Sequence, residues 1–128
     1  MSNVDPDELY AILRSWATAK GGKFYSYSEL SEQYAKRTNT AALPAHGTWD
    51  VPLGALNNRA HAIGAPAIGA PAISALVVLR EPPKEPGGHF WGSAPNVPPR
   101  PPTPAKRTTE WVRILTEVFA YKWPPTLP

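Results

Sequence analysis

Apolar residues recur at helical spacing along the first part of the chain. Leu9, Ile12, Leu13 and Trp16 stand at i, i+3, i+4 and i+7, one stripe of a helix over residues 5–19. Asp5 suits its N-cap, Pro6 its first helical position and Glu8 the acidic member of a capping box, while Gly21-Gly22 ends it. In "FYSYSELSEQYAKR", Ser26 and Glu29 form an S-x-x-E capping box, with Tyr25 and Leu30 at the two positions of a hydrophobic staple. A second helix is therefore predicted from near Tyr27 to about Arg37, with Tyr27, Leu30, Tyr34 and Ala35 on its apolar side. Residues 38–48 read as a polar loop. "WDVPLGALNNRAHAIG" predicts a third helix, capped by Asp50, with Pro52 tolerated in its first turn. Leu53, Leu56, Asn57 and Ala60 share one face, which Ile63 extends; Asn58, Arg59 and His61 lie opposite, and Gly64 is a natural stop.

The pattern then changes. "AISALVVLR" is short, apolar and β-branched, and predicts a strand; "EPPKEPGG" is a turn, and "HFW" a second short strand pairing back as a hairpin. The chain has seventeen prolines, and "SAPNVPPRPPTPAKR" concentrates them in an extended connector unsuited to sheet interior or helix. A last helix spans residues 109–121, with Trp111, Val112, Leu115, Val118 and Phe119 as its apolar face, and Pro124-Pro125 forbids continuation. The order is helix, helix, helix, strand, strand, tether, helix. It predicts an α+β domain of winged-helix type: a three-helix core plus β-hairpin over residues 1–93, a proline-rich tether over 94–107, and a C-terminal helix over 108–128 docked on the same domain. The alternative is a small α+β domain with no role on DNA.

Between the third helix and the predicted strand, "AIGAP" occurs twice in succession within "AIGAPAIGAPAIS". Residues 60–79 carry no Lys, Arg, Asp or Glu, a length that would span a bilayer. Two prolines and two glycines interrupt that stretch and much of it is alanine, which argues against a membrane helix. One copy suffices to stop the helix and keep the chain extended. The second reads as slack in a surface loop, where doubling the length costs roughly 0.6 kcal/mol in closure entropy.

Composition narrows the chemistry. A chain of 128 residues is most simply one domain, and the absence of cysteine removes disulfides, thiolate metal sites and cysteine nucleophiles. "MSNVDPDEL" has neither a basic nor an apolar region of a signal peptide, so a cytoplasmic protein is expected. His46, His61 and His89 have no metal-site spacing, and there is no G-x-S-x-G. "PGGHFWG" lacks the Lys-Ser/Thr of a phosphate loop and reads as a tight hairpin. No cofactor, metal or enzymatic activity is expected, and a cofactor-free hydrolase is a distant third reading.

The net charge of +3 permits nucleic acid as a partner without a dedicated basic arm. On a helix-turn-helix the third helix enters the major groove, which makes Asn57, Asn58, Arg59 and His61 reading candidates, and Lys36 and Arg37 at the end of the second helix are further nucleic-acid-binding candidates. The expected function is thus a non-enzymatic nucleic-acid-binding domain with double-stranded DNA as partner. These polar residues equally suit a solvated face. The alternative is a protein-interaction or inhibitory module of a phage or mobile element, acting through Trp91 and the tether, with His89 and Arg100 beside them. A tether packed across the domain's own aromatic surface is the plainer reading of the prolines.

Four stretches, "YSYSELSEQY", "PLGALNNRAHAIGAPAISALVV", "EPGGHFWG" and "VFAYKW", together resemble a family of small bacterial proteins of uncharacterised activity. That family's pattern is a Y-S/G-E-L-A helix start, an L-G helix, a P-x-L-x-x-LVV strand, a PG-x-GF turn and a closing VFAYDW. The resemblance runs from Tyr25 to Trp123 apart from the tether, and it implies architecture but no chemistry. The chain departs from the pattern at Lys122, where the family carries an acid, at His89, and in its second small-Pro step. "LYAILRSWATAKGGKFYSYSEL" and "PLGAL" are more distantly similar to the DNA-binding half of alkylguanine alkyltransferases and alkyltransferase-like proteins. "SALVV" stands where their PCHR or PWHR site would be, and no thiol exists to accept an alkyl group, so only a winged-helix topology is implied.

Overall fold

Asp5 starts the first helix by accepting the Asp7 N–H on its side chain at 2.9 Å. The computed structural model describes residues 4–44, 48–63, 71–79, 86–87, 90–92 and 97–126. Helix α1 (Pro6–Thr18) buries Leu9, Tyr10, Ile12, Leu13, Trp16 and Ala17, the expected stripe widened by its flanks. Glu8 does not complete a capping box; its carboxylate pairs with Arg37 on the second helix. Gly21 and Gly22 both hold positive φ, at 79° and 71°. A Cβ at Gly22 would come within 2.7 Å of the Phe119 ring, so the turn lies directly on the last helix.

Strand β1 (Tyr25–Ser26) runs straight into α2 (Tyr27–Thr38). The capping box closes in both directions: Ser26 Oγ accepts the Glu29 N–H and Glu29 Oε1 accepts the Ser26 N–H, each at 3.2 Å. α2 ends at Asn39 in the left-handed region, which asparagine tolerates. In α3 (Asp50–Ile63), Asp50 is the first helical residue rather than the cap. The Trp49 carbonyl takes the first helical bond, from the Leu53 N–H at 2.9 Å. Trp49 is fully buried, donates its indole N–H to Ser31 Oγ at 2.8 Å and sets its ring edge-on to Tyr34, so it ties the start of α3 to α2.

The segment predicted as a short strand over residues 72–80 is only partly a strand. Residues Ile73–Leu76 form a 3₁₀ turn, and β2 is Val77–Val78 alone. Every residue from Ala72 to Val78 is buried, and α1, α3 and α4 all pack on the turn. Backbone groups at that depth need partners. Side chains of the surrounding helices supply them: the Ser74 N–H donates to Asn57 Oδ1 at 3.1 Å, and the Ala75 carbonyl accepts the Trp111 indole N–H at 2.9 Å. The β-branched apolar run records burial on all sides rather than a ladder.

β2 pairs with β1, and the pairing is parallel, Tyr25 with Val77 and Ser26 with Val78. The predicted hairpin partner is otherwise placed. Phe90, Trp91 and Gly92 form a turn; both rings are buried, and the Gly92 N–H donates to the Pro98 carbonyl at 2.9 Å. The described residues thus make an α+β arrangement of four helices and one two-stranded parallel sheet, and the antiparallel hairpin of a winged helix is not among them. The doubled AIGAP and its expected loop fall largely at residues 64–70, outside the described residues.

Helix α4 (Pro104–Ala120) begins well before the predicted residue 109. Thr103 caps it by accepting the Lys106 N–H at 3.3 Å. Pro104 occupies the first position, where a missing N–H is harmless. The proline-rich run therefore ends as a helix start and not as a tether. α4 buries Trp111, Ile114, Leu115 and Val118; Val112, expected on that face, is 48% exposed. Beyond α4 the chain folds back along α1: Tyr10 Oη donates to the Pro124 carbonyl at 2.5 Å, and Arg14 Nε to the Trp123 carbonyl at 3.3 Å.

Candidate nucleic-acid interface

The residues proposed to read a base divide sharply. Asn57 is fully buried, with its amide N–H₂ donating to Ser74 Oγ at 2.6 Å and its Oδ1 accepting the Ser74 N–H at 3.1 Å. It is a structural residue of the core and, contrary to the expectation from sequence, is not accessible to a base. Asn58 and Arg59 come next on the helix and are exposed, since successive residues turn by about 100°. The Asn58 amide donates to the Gly54 carbonyl one turn back, at 3.1 Å. His61 is half-buried, and its Nδ1 is buried without a hydrogen-bond partner among the described residues.

Lys36 and Arg37 are exposed at the end of α2, where cations also complement the helix dipole. Arg37 is engaged by Glu8, so part of its charge is balanced. Lys36, Asn58 and Arg59 are likewise exposed. α3, which presents two of them, is fixed through Trp49 at its start and through Asn57 in its middle.

The residues nominated for a protein partner fare differently. Trp91 is only 8% exposed, so it is core and not an outward grip; its indole nitrogen is buried with no hydrogen-bond partner among the described residues. Its ring packs edge-on to Phe90. Arg100 is exposed on the connector, and His89, like His46, lies outside the described residues. A shallow groove of about 370 Å³ runs between Pro98, Pro99 and Pro101 and the first turns of α4.

A second group of cations emerges only from the fold. Lys20 and Lys23 flank the glycine turn that rests on Phe119, and Lys122 follows the end of α4. Arg14 reaches the carbonyl of Trp123, next to Lys122. Phe24 lies beside Lys23, 40% exposed, with its ring edge-on to Trp111. The signal in the sequence is local, a lysine beside an aromatic in "GGKFY" and in "AYKW", but nothing in either stretch says that they meet.

Gly87 also has a place, while most of the predicted "EPPKEPGG" turn lies outside the described residues. The Gly87 N–H donates to Tyr27 Oη at 2.9 Å. Burial pushes the Tyr27 hydroxyl above its ordinary pKa; the Gly87 bond opposes the shift and Asp50 adds to it.

Among the described residues, no cluster of His, Asp or Glu is arranged to hold a metal, and no helix is long and apolar enough to cross a membrane. No protein-family model, no curated protein and no solved structure matches the chain.

Proposed function

We propose that the chain is a non-enzymatic nucleic-acid-binding domain that contacts double-stranded DNA through the outer side of α3 and the end of α2. The carrying observation is the Asn57-Asn58-Arg59 run. Asn57 is locked inward on Ser74, which holds Asn58 and Arg59 outward on a helix that Trp49 also anchors. Preorganised side chains lose little freedom on binding. Arginine and asparagine are the side chains whose paired donors and acceptors match guanine and adenine edges. Lys36 adds a phosphate contact at the side.

The test is fluorescence anisotropy of a labelled duplex against the full chain at low salt. Lys36→Ala should weaken binding to every sequence alike and lower the salt slope by about one, while Arg59→Ala should cost about 1–3 kcal/mol and relax the preference among sequences. Duplex binding that neither substitution moves would contradict the α3 assignment. A protein partner is the second reading, now carried by the exposed Arg100 and the proline-lined groove and no longer by Trp91.

A further inference from the structure

We infer that Arg14, Lys20, Lys23, Phe24 and Lys122 form a second surface, one that binds single-stranded nucleic acid. The surface is separate from α3 and does not depend on the duplex reading. Three contacts assemble it. The Gly21-Gly22 turn, with Lys20 and Lys23 on either side, lies on Phe119 near the end of α4. Arg14 Nε donates to the Trp123 carbonyl and so brings α1 to Lys122. Phe24 leans edge-on against Trp111, two turns earlier on α4. Residues distant in sequence thus border one end of the molecule.

The charge there is one-sided. The acids of α1, Asp5, Asp7 and Glu8, sit at its other end, with Glu8 about 15 Å along the axis from Thr18, where the helix ends before Lys20. Glu29 is the acid nearest in sequence on the β1–α2 side, and it is held by the Ser26 backbone and hydroxyl. On α4, Glu110 and Glu117 are both engaged by Arg113. Cations at the ends of α1 and α4 favour the helix dipoles, which accounts for some of them. The dipoles do not account for Phe24, a large aromatic left 40% exposed next to Lys23.

A basic rim around an exposed ring matches an unpaired strand. Lysines and arginine track the phosphates, and a base stacks on the aromatic, which a duplex cannot offer without opening. Stacking tolerates any base, so binding here is expected to be indifferent to sequence.

The experiment titrates the full chain against a labelled oligothymidine of about 15 nucleotides. The triple variant Lys20→Ala, Lys23→Ala, Lys122→Ala should weaken binding about tenfold or more at moderate salt and reduce the slope of log K against log salt by about 2, from three lost contacts at roughly 0.7 each. Phe24→Leu keeps apolar bulk and removes the ring; it should weaken binding about fivefold with the slope unchanged. Arg113→Gln, outside the face, should change neither. Far-UV circular dichroism and a melt establish that each variant is folded. Three results would overturn the proposal: oligothymidine affinity unaffected by the triple variant, equal losses on single strand and duplex, or binding to phosphatidylserine vesicles without binding to oligothymidine.

Discussion

Replacing Asn57 with alanine removes both the donor and the acceptor that Ser74 uses. Ser74 is itself buried, so its N–H would be left without that partner at the centre of the core. Such a loss costs about 1–3 kcal/mol. Urea denaturation should show Asn57→Ala destabilised by that amount, while Asn58→Ala stays within about 0.5 kcal/mol of the parent, as an exposed position does. The contrast matters because the two residues are the same type. The sequence places Asn57 on the apolar side of α3, which foretells burial, but an amide's usefulness to a base makes it look functional. Only the position of Ser74, seventeen residues on, decides between the two. Trp91 teaches the same lesson. A tryptophan beside glycines and prolines suggests an exposed grip, yet its ring completes a core that the local sequence does not reveal.

Among the elements, those set by local rules were legible. The Asp5 cap, the Ser26–Glu29 box and the stripe of α1 follow from neighbours a few residues apart, and all three form. Elements set by distant partners were not. The run from Ala72 to Val78 has strand composition, but three helices enclose its first half, so side chains replace a ladder there and only Val77 and Val78 find a strand. α4 is longer than its apolar pattern predicts because a proline-rich run does not exclude helix throughout. Thr103-Pro104 is instead a cap followed by the one helical position that favours proline. Thr103→Ala should therefore lower stability by about 1 kcal/mol, measurable as a shifted urea midpoint with an unchanged slope. Contacts between distant residues tie these elements together: Tyr27 holds the Gly87 N–H, Asn57 holds Ser74, and Phe119 lies on Gly22.

At the scale of the molecule, charge and burial set the behaviour with pH and salt. Tyr10 and Tyr27 both have their hydroxyls raised above the ordinary value near 10, chiefly by burial. A group whose folded pKa is raised contributes stability in full below its unfolded pKa and loses it as pH climbs through the folded one. Stability should thus be flat with respect to these groups up to about pH 9 and fall above about pH 10, because tyrosines of the unfolded chain ionise first. Tyr27→Phe should flatten part of that fall in thermal melts taken between neutral pH and pH 11.

The proposed nucleic-acid binding rests on side chains that stand outward on α3, at the end of α2 and around the α1–β1 turn, and phosphate is the group they would share. The salt dependence of duplex binding by the unmodified chain is the most direct measurement of it. Anisotropy titrations at several salt concentrations should give a straight fall of log K against log salt with a slope of about −2 to −3, the value for two or three phosphate contacts at roughly 0.9 each. A flat line, or no binding at low salt, would contradict nucleic-acid binding at the α3 face.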